Sequence, residues 1–191
     1  MIMTADTNLY LNKDSLSLDL FEYRDEAFAS LPVQEFKYKR WDWAFDKGVH
    51  KSVQPLLEKM LDMMSLIDDK GMRWLVDYKV RDLKVGDCGC ILEGWHLDVV
   101  SNPNHKSNPD HHLIYSTEFG TDFVAQPIEY TATTNHFNSC LSDLDAESLP
   151  YVTAKPSHIS AYNRFQLHRG PIVTRDCRRM LLRLTATEVV R

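Results

Sequence analysis

Residues 158–187 read "HISAYNRFQLHRGPIVTRDCRRMLLRLTAT". Asn163–Arg164 and Gly170–Pro171 are turn formers, and they cut the stretch into short runs rich in Ile, Tyr, Phe, Leu and Thr. The stretch therefore predicts a strand, a turn at Asn163–Arg164, a second strand ending in His168, a Gly-Pro turn, and a final strand opening with the paired arginines Arg178 and Arg179.

The same texture extends upstream. "RWLVDYKV" (73–80), "CGCILEGWHLDVV" (88–100), "HHLIYSTEF" (111–119) and "DFVAQPIEYTATT" (122–134) are short apolar runs separated by Gly, Pro, Asn and Asp. No helix-length pattern lies between them, which argues against a parallel βαβ sheet and for an antiparallel sandwich or jelly roll. Before Gly71 the pattern differs. Residues 53–68 carry Leu56, Leu57, Met60, Leu61 and Met64 as a stripe at helical spacing, with Ser52 as the expected N-cap and Gly71 as the stop. Residues 15–30 suggest a short helix, and 32–48 a strand or irregular loop. The expectation is one mainly β domain with N-terminal helices (α+β), spanning 1–191. Residues 1–71 form a helical support region and 72–191 a jelly-roll core.

A chain of 191 residues suits one domain and buries a sizeable core unaided. Its 43 % hydrophobic and 26 % charged residues are those of an ordinary soluble globular protein. The net charge of −5 excludes general nucleic-acid or acidic-membrane binding, and the basic clusters "KYKR" (37–40) and "RDCRR" (175–179) are local. No apolar run approaches the ~20 residues of a membrane span, and "MIMTADTNLYLNKD" is not a signal peptide. Cysteines 88, 90, 140 and 177 read as reduced thiols of a cytoplasmic protein.

His96 and Asp98 stand two apart in "GWHLDVV", so on a strand they share a face. A His-x-Asp pair alone arises by chance about once in such a chain. Its company further along is His168, then Arg178 and Arg179. Together these resemble the Fe(II)- and 2-oxoglutarate-dependent oxygenases. Members have a double-stranded β-helix (jelly-roll) core. Their signature is a His-x-Asp/Glu near the second core strand, a distant His near the seventh, and an Arg or Lys about ten residues later on the eighth. "EFGTDF" (118–123) is similar to the Gly-Thr turn that many members place after a mid-core strand. The resemblance covers roughly residues 72–187.

The resemblance implies His96, Asp98 and His168 as ligands of Fe(II), with open positions for 2-oxoglutarate and O2. The far carboxylate of 2-oxoglutarate needs a directional cation, which arginine supplies as a planar fork. Arg178 and Arg179 both fit; alternation favours Arg179, whose face would include Leu181 and Arg183, while Met180, Leu182 and Leu184 would meet the 53–68 helix. Arg183 is either a second anion contact or a salt-bridged wall residue. Tyr115 and Tyr162 are either hydrogen-bond donors to the co-substrate or satisfied core tyrosines. His111 and His112 point to opposite faces, Trp95 faces away from His96, and Cys88 and Cys90 lack the second pair that a structural zinc site needs. Residues 101–110 form a polar loop suited to contact substrate, or a mere connection.

The implied activity is oxidation of a C–H bond in a small-molecule or side-chain substrate, coupled to conversion of 2-oxoglutarate to succinate. The alternative is a jelly-roll binding or assembly subunit, with or without metal, in which an oligomer is possible. The same donors would also take Mn, Co or Ni.

Overall fold

The computed structural model describes residues 7–11, 16–66, 72–90, 94–98, 110–132 and 148–188. It is a β-sandwich of jelly-roll type. The larger sheet contains β2 (Ser17–Glu22), β3 (Gln34–Arg40), β4 (Arg73–Leu83), β5 (His111–Ser116), β9 (His158–Asn163) and β11 (Cys177–Thr187). Their order is β2-β9-β5-β11-β4-β3, antiparallel at each pairing. The smaller sheet is β10 (His168–Arg169), β6 (Asp122–Val124) and β8 (Tyr151–Thr153), in that order. A bridge from His96 to His168 adds a further chain segment beside β10. After β4 the chain passes to the small sheet at His96, returns to β5, crosses to β6 and β8, returns to β9, crosses to β10, and closes with β11. That alternation makes the jelly roll. A separate two-stranded sheet pairs β1 (Thr7–Leu11) with β7 (Ile128–Ala132).

β11 runs between β4 and β5, with Leu182 opposite both Tyr78 and Tyr115, and Leu184 opposite Val76 and Leu113. Successive side chains alternate faces. Met180, Leu182, Leu184, Val76, Tyr78 and Val80 thus share one face, where they form the main core with Leu56, Leu57, Met60 and Met64 of α2 (Gln54–Met64). Arg179, Leu181 and Arg183 turn to the opposite face, as their alternation predicts.

The N-terminal region departs from expectation. Residues 15–30 are not a helix: β2 adds to the sheet edge along β9, followed by a 3-10 turn, Glu26–Ser30, capped by Asp25. Leu16 and Leu18, two apart, pack against the Ile114–Tyr162 cluster, and that spacing is the period of a strand. Residues 34–40 are strand, but 41–48 coil into α1 (Trp41–Trp43) and a π-helical turn (Ala44–Gly48). The expected helix at 53–68 ends at Met64. Ser52 does not cap it; His50 accepts from the Ser52 amide to start a 3-10 turn at Lys51–Val53, which leads into α2 with Pro55 in its first turn. Gly71 lies outside the described residues.

Candidate metal centre

His96 and His168 are direct cross-strand partners. The His96 amide donates to the His168 carbonyl at 2.8 Å, and the His168 amide to the His96 carbonyl at 3.0 Å. Opposed residues project on one face, and the two ring centroids are 4.5 Å apart. Asp98, two residues on, reaches the same place. One donor atom from each of His96, Asp98 and His168 lies within 4.8 Å of the other two.

The rings are aimed by their far nitrogens. His96 Nδ1 lies 3.0 Å from the Gly94 carbonyl and His168 Nδ1 2.9 Å from the Gln166 carbonyl. An Nδ1–H donated to each carbonyl leaves Nε2 as a lone-pair donor, the tautomer a metal ligand needs. Gly94 turns at φ 78°, a left-handed conformation open to glycine. Gly170 follows β10 where a Cβ would lie 2.6 Å from the backbone nitrogen of Cys90, so only glycine lets these segments meet.

Asp98 sits in a buried network. Its Oδ2 accepts from the Tyr162 hydroxyl at 2.7 Å and from Arg183, and lies 3.5 Å from His168 Nε2. Arg183 also grips Asp77, whose other oxygen accepts from the Tyr38 amide at 2.6 Å. Burial alone would raise the Asp98 pKa, but Arg183, with His168 and His112 behind it, holds it well below the usual carboxylate range. Burial works against the Arg183 charge, and Asp98 and Asp77 more than offset it. Burial and Asp98 together keep Tyr162 protonated, so its hydroxyl stays a donor. His168 is pulled down to about 4, chiefly by burial and against the pull of Asp98, so its imidazole is neutral at neutral pH.

These residues open onto a cavity of about 250 Å³ between the two sheets. Arg179 lines it and is buried. Its hydrogen bonds go to the carbonyls of Glu118, Phe119 and Gly89, at 2.7, 3.1 and 2.9 Å, while Nη2 is buried without a hydrogen-bond partner among the described residues. Burial lowers its pKa to about 10, which still leaves it charged. A buried arginine bonded to backbone carbonyls, with one donor left over among the described residues, has the chemistry to take an anion.

The other expected residues divide. Arg178 is not in the cavity: one step out of phase, it forks onto Asp82 at 2.7 and 2.9 Å on the outer face. Tyr115 faces the core, where its hydroxyl donates to the Tyr23 carbonyl at 2.8 Å, so it does not meet a co-substrate. Tyr162 lines the cavity, but its hydroxyl is given to Asp98. Arg183 is a salt-bridged wall residue that also touches the cavity. His112 stacks on Tyr162 at 4.7 Å and meets Thr185 through Nδ1, and it is not one of the three clustered donors. Trp95 is buried under Arg169. Residues 101–109 lie outside the described residues.

Sequence reading missed Asp77, Lys79, Lys37, Tyr38, Cys90 and Thr121, all of which line the cavity. Cys90 Sγ stands 4.0 Å from His96 Nε2. Each left some trace: Asp77 and Lys79 stand inside the apolar run "RWLVDYKV", Lys37 and Tyr38 in "KYKR", and Cys90 beside the His-x-Asp pair, but none pointed to a shared cavity. Thr121 belongs to the "EFGTDF" turn, where a Cβ on Gly120 would fall 1.6 Å from the Ala154 carbonyl oxygen.

No protein-family model and no curated protein matches the sequence. Among solved structures, the fold is similar to two of EvdO2 from Micromonospora carbonacea var. aurantiaca, one of them complexed with 2-oxoglutarate. The TM-scores are 0.49 and 0.48, at 10 % and 11 % identity, over 83 % of this chain and 70 % of those chains. No helix among the described residues is long and apolar enough to cross a membrane.

Proposed function

We propose that this protein is an Fe(II)- and 2-oxoglutarate-dependent oxygenase. The observation that carries the reading is the convergence of His96, Asp98 and His168, with donor atoms within 4.8 Å of one another, in a cavity that also holds the buried Arg179. Two imidazoles and one carboxylate with an open side are the donor set of non-haem Fe(II) oxygenases. When bound, the iron would supply dioxygen activation, coupled to decarboxylation of 2-oxoglutarate to succinate and oxidation of a substrate C–H bond.

The chain's own groups have separate tasks. His96 and His168 present their Nε2 atoms to the site, aimed by the backbone carbonyls that their Nδ1 atoms meet. Arg183 and Tyr162 hold the Asp98 carboxylate ionised and oriented, the second-shell support that ligands need. Arg179 receives the far carboxylate of 2-oxoglutarate through its leftover donor. Phe123, which packs on the His168 ring, and Leu181 keep water from the buried end.

Anaerobic addition of Fe(II) and 2-oxoglutarate tests the reading. A weak visible charge-transfer band, absent in His96→Ala, and succinate release in air are the expected results. A flat spectrum and no succinate would reject the oxygenase and leave a jelly-roll binding or assembly subunit. Parallel titrations with Mn, Co and Ni separate iron dependence from general divalent binding.

A further inference from the structure

We infer that the primary substrate is a ring-bearing anion, received by Lys37 and Lys79 and stacked at Tyr38. This deepens the oxygenase reading and rests on it.

The first argument is charge. The cavity is lined by the cations Lys37, Lys79, Arg179 and Arg183 and by the carboxylates Asp77 and Asp98. Arg183 already bridges both carboxylates. The 2-oxoglutarate dianion places one carboxylate at the metal and one at Arg179, which leaves the two lysines. Lys79 has no carboxylate within ion-pair reach among the described residues. Glu35 stands opposite Lys79 in the β3–β4 register and pairs with Lys37 at 3.7 Å, but it also binds Arg81, so one carboxylate answers three cations. Lys37 also lies close enough to disfavour the Lys79 charge. Half-buried cations that outnumber the one carboxylate among them are stabilised by an anion from outside.

The second argument is shape. Tyr38 lies at a register break between β3 and β4, with φ 52° and its amide held by Asp77. A strained non-glycine residue at a cavity rim marks a position built for contact. Its ring is 39 % exposed and lines both the cavity and a neighbouring groove of about 800 Å³. The groove is walled by Trp41, Trp74, Arg40 and Arg73. Arg73, Leu75, Asp77 and Lys79 alternate along β4, so the cavity's face of this strand continues into the groove, whose lining also takes in Met72 and Trp74 from the other phase. The nearby acid Asp42 is occupied by Arg40, and Lys39 sits over the Trp43 ring. Aromatic faces beside cations that outnumber the nearby acids select a ring that carries a carboxylate, phosphate or sulfate.

The test needs neither metal nor turnover. Tryptophan fluorescence of the full chain is followed against two matched pairs: AMP with adenosine, and 2-naphthoate with 2-naphthamide. The charged member of at least one pair is expected to bind about tenfold more tightly than its neutral partner. That preference should disappear in the Lys37→Gln/Lys79→Gln double variant and survive in His96→Ala. The AMP and naphthoate arms distinguish a nucleotide from an aromatic acid. Equal binding within both pairs, no binding at millimolar ligand, or an unchanged preference in the double variant would overturn the inference. Because the readout is independent of iron, it can fail while the oxygenase reading stands, or succeed while that reading falls.

Discussion

On one face of β11, Met180, Leu182 and Leu184 pack against α2; one residue out of step, Arg179, Leu181 and Arg183 face the cavity. Both faces are buried, but by different means. The first removes apolar surface from water and needs only shape. The second buries charge, which is tolerable only because the charged groups are bonded: Arg183 to Asp77 and Asp98, Tyr162 to Asp98, and Arg179 to three backbone carbonyls. The apolar face should degrade gradually under mutation, whereas the polar face should fail when one member is lost.

The largest effect is expected from Arg183→Met. It leaves Asp77 and Asp98 buried together without a counter-charge, a loss of about 3–5 kcal/mol in urea unfolding of metal-free protein. Added Co(II) should recover part of this, since the ion supplies the missing positive charge. No recovery would mean that Asp98 does not face the ion. Next is Leu182→Ala, which opens a cavity beneath α2 and should cost about 2–5 kcal/mol while leaving Co(II) affinity unchanged. A fall in that affinity would show that the two faces are not independent.

A third effect depends on pH. The folded-state pKa of His168, about 4, lies below its ordinary 6.5. Between those values the unfolded chain binds the proton and the folded chain does not, so stability is full above 6.5 and is lost as pH falls towards 4. For chelated protein the loss is up to about 3 kcal/mol, and His168→Gln should flatten the profile. The smallest effect is Arg178→Ala, whose solvent-screened pair with Asp82 should leave the urea midpoint within error. It should also leave 2-oxoglutarate affinity unchanged, whereas Arg179→Lys weakens it about tenfold by losing the fork. A reversal of these two would exchange the roles of the paired arginines.

The same contrast explains what could be read in advance. Alternation in "RRMLLRLT", blurred by the apolar run Met180–Leu182, favours Arg179 over Arg178 for the cavity face, and a helical stripe marks α2. His96, Asp98 and His168 were accessible because their residue types and order resemble a known signature. The network around Asp98 was not, because Tyr162 on β9, Arg183 on β11 and Asp77 on β4 are brought together only by the strand order of the larger sheet, and that order is not written locally in any strand. Tyr115 and Tyr162 look alike as sequence, yet the phase of their strands sends one into the core and the other into the site. The N-terminal strands were misread because β2 is an edge strand with a bulge and a left-handed Asp19, so its alternation is broken.

The direct opposition of His96 and His168 has a thermodynamic consequence. Because each residue's amide is bonded to the other's carbonyl, a slip of a single residue along that seam would swing His96 and Asp98 out of the sandwich together, while β6 keeps His168 in place. An ion seated there would zip the margin of the smaller sheet shut, and chelation should first appear as faster hydrogen exchange at these two amides, before the α2 side loosens.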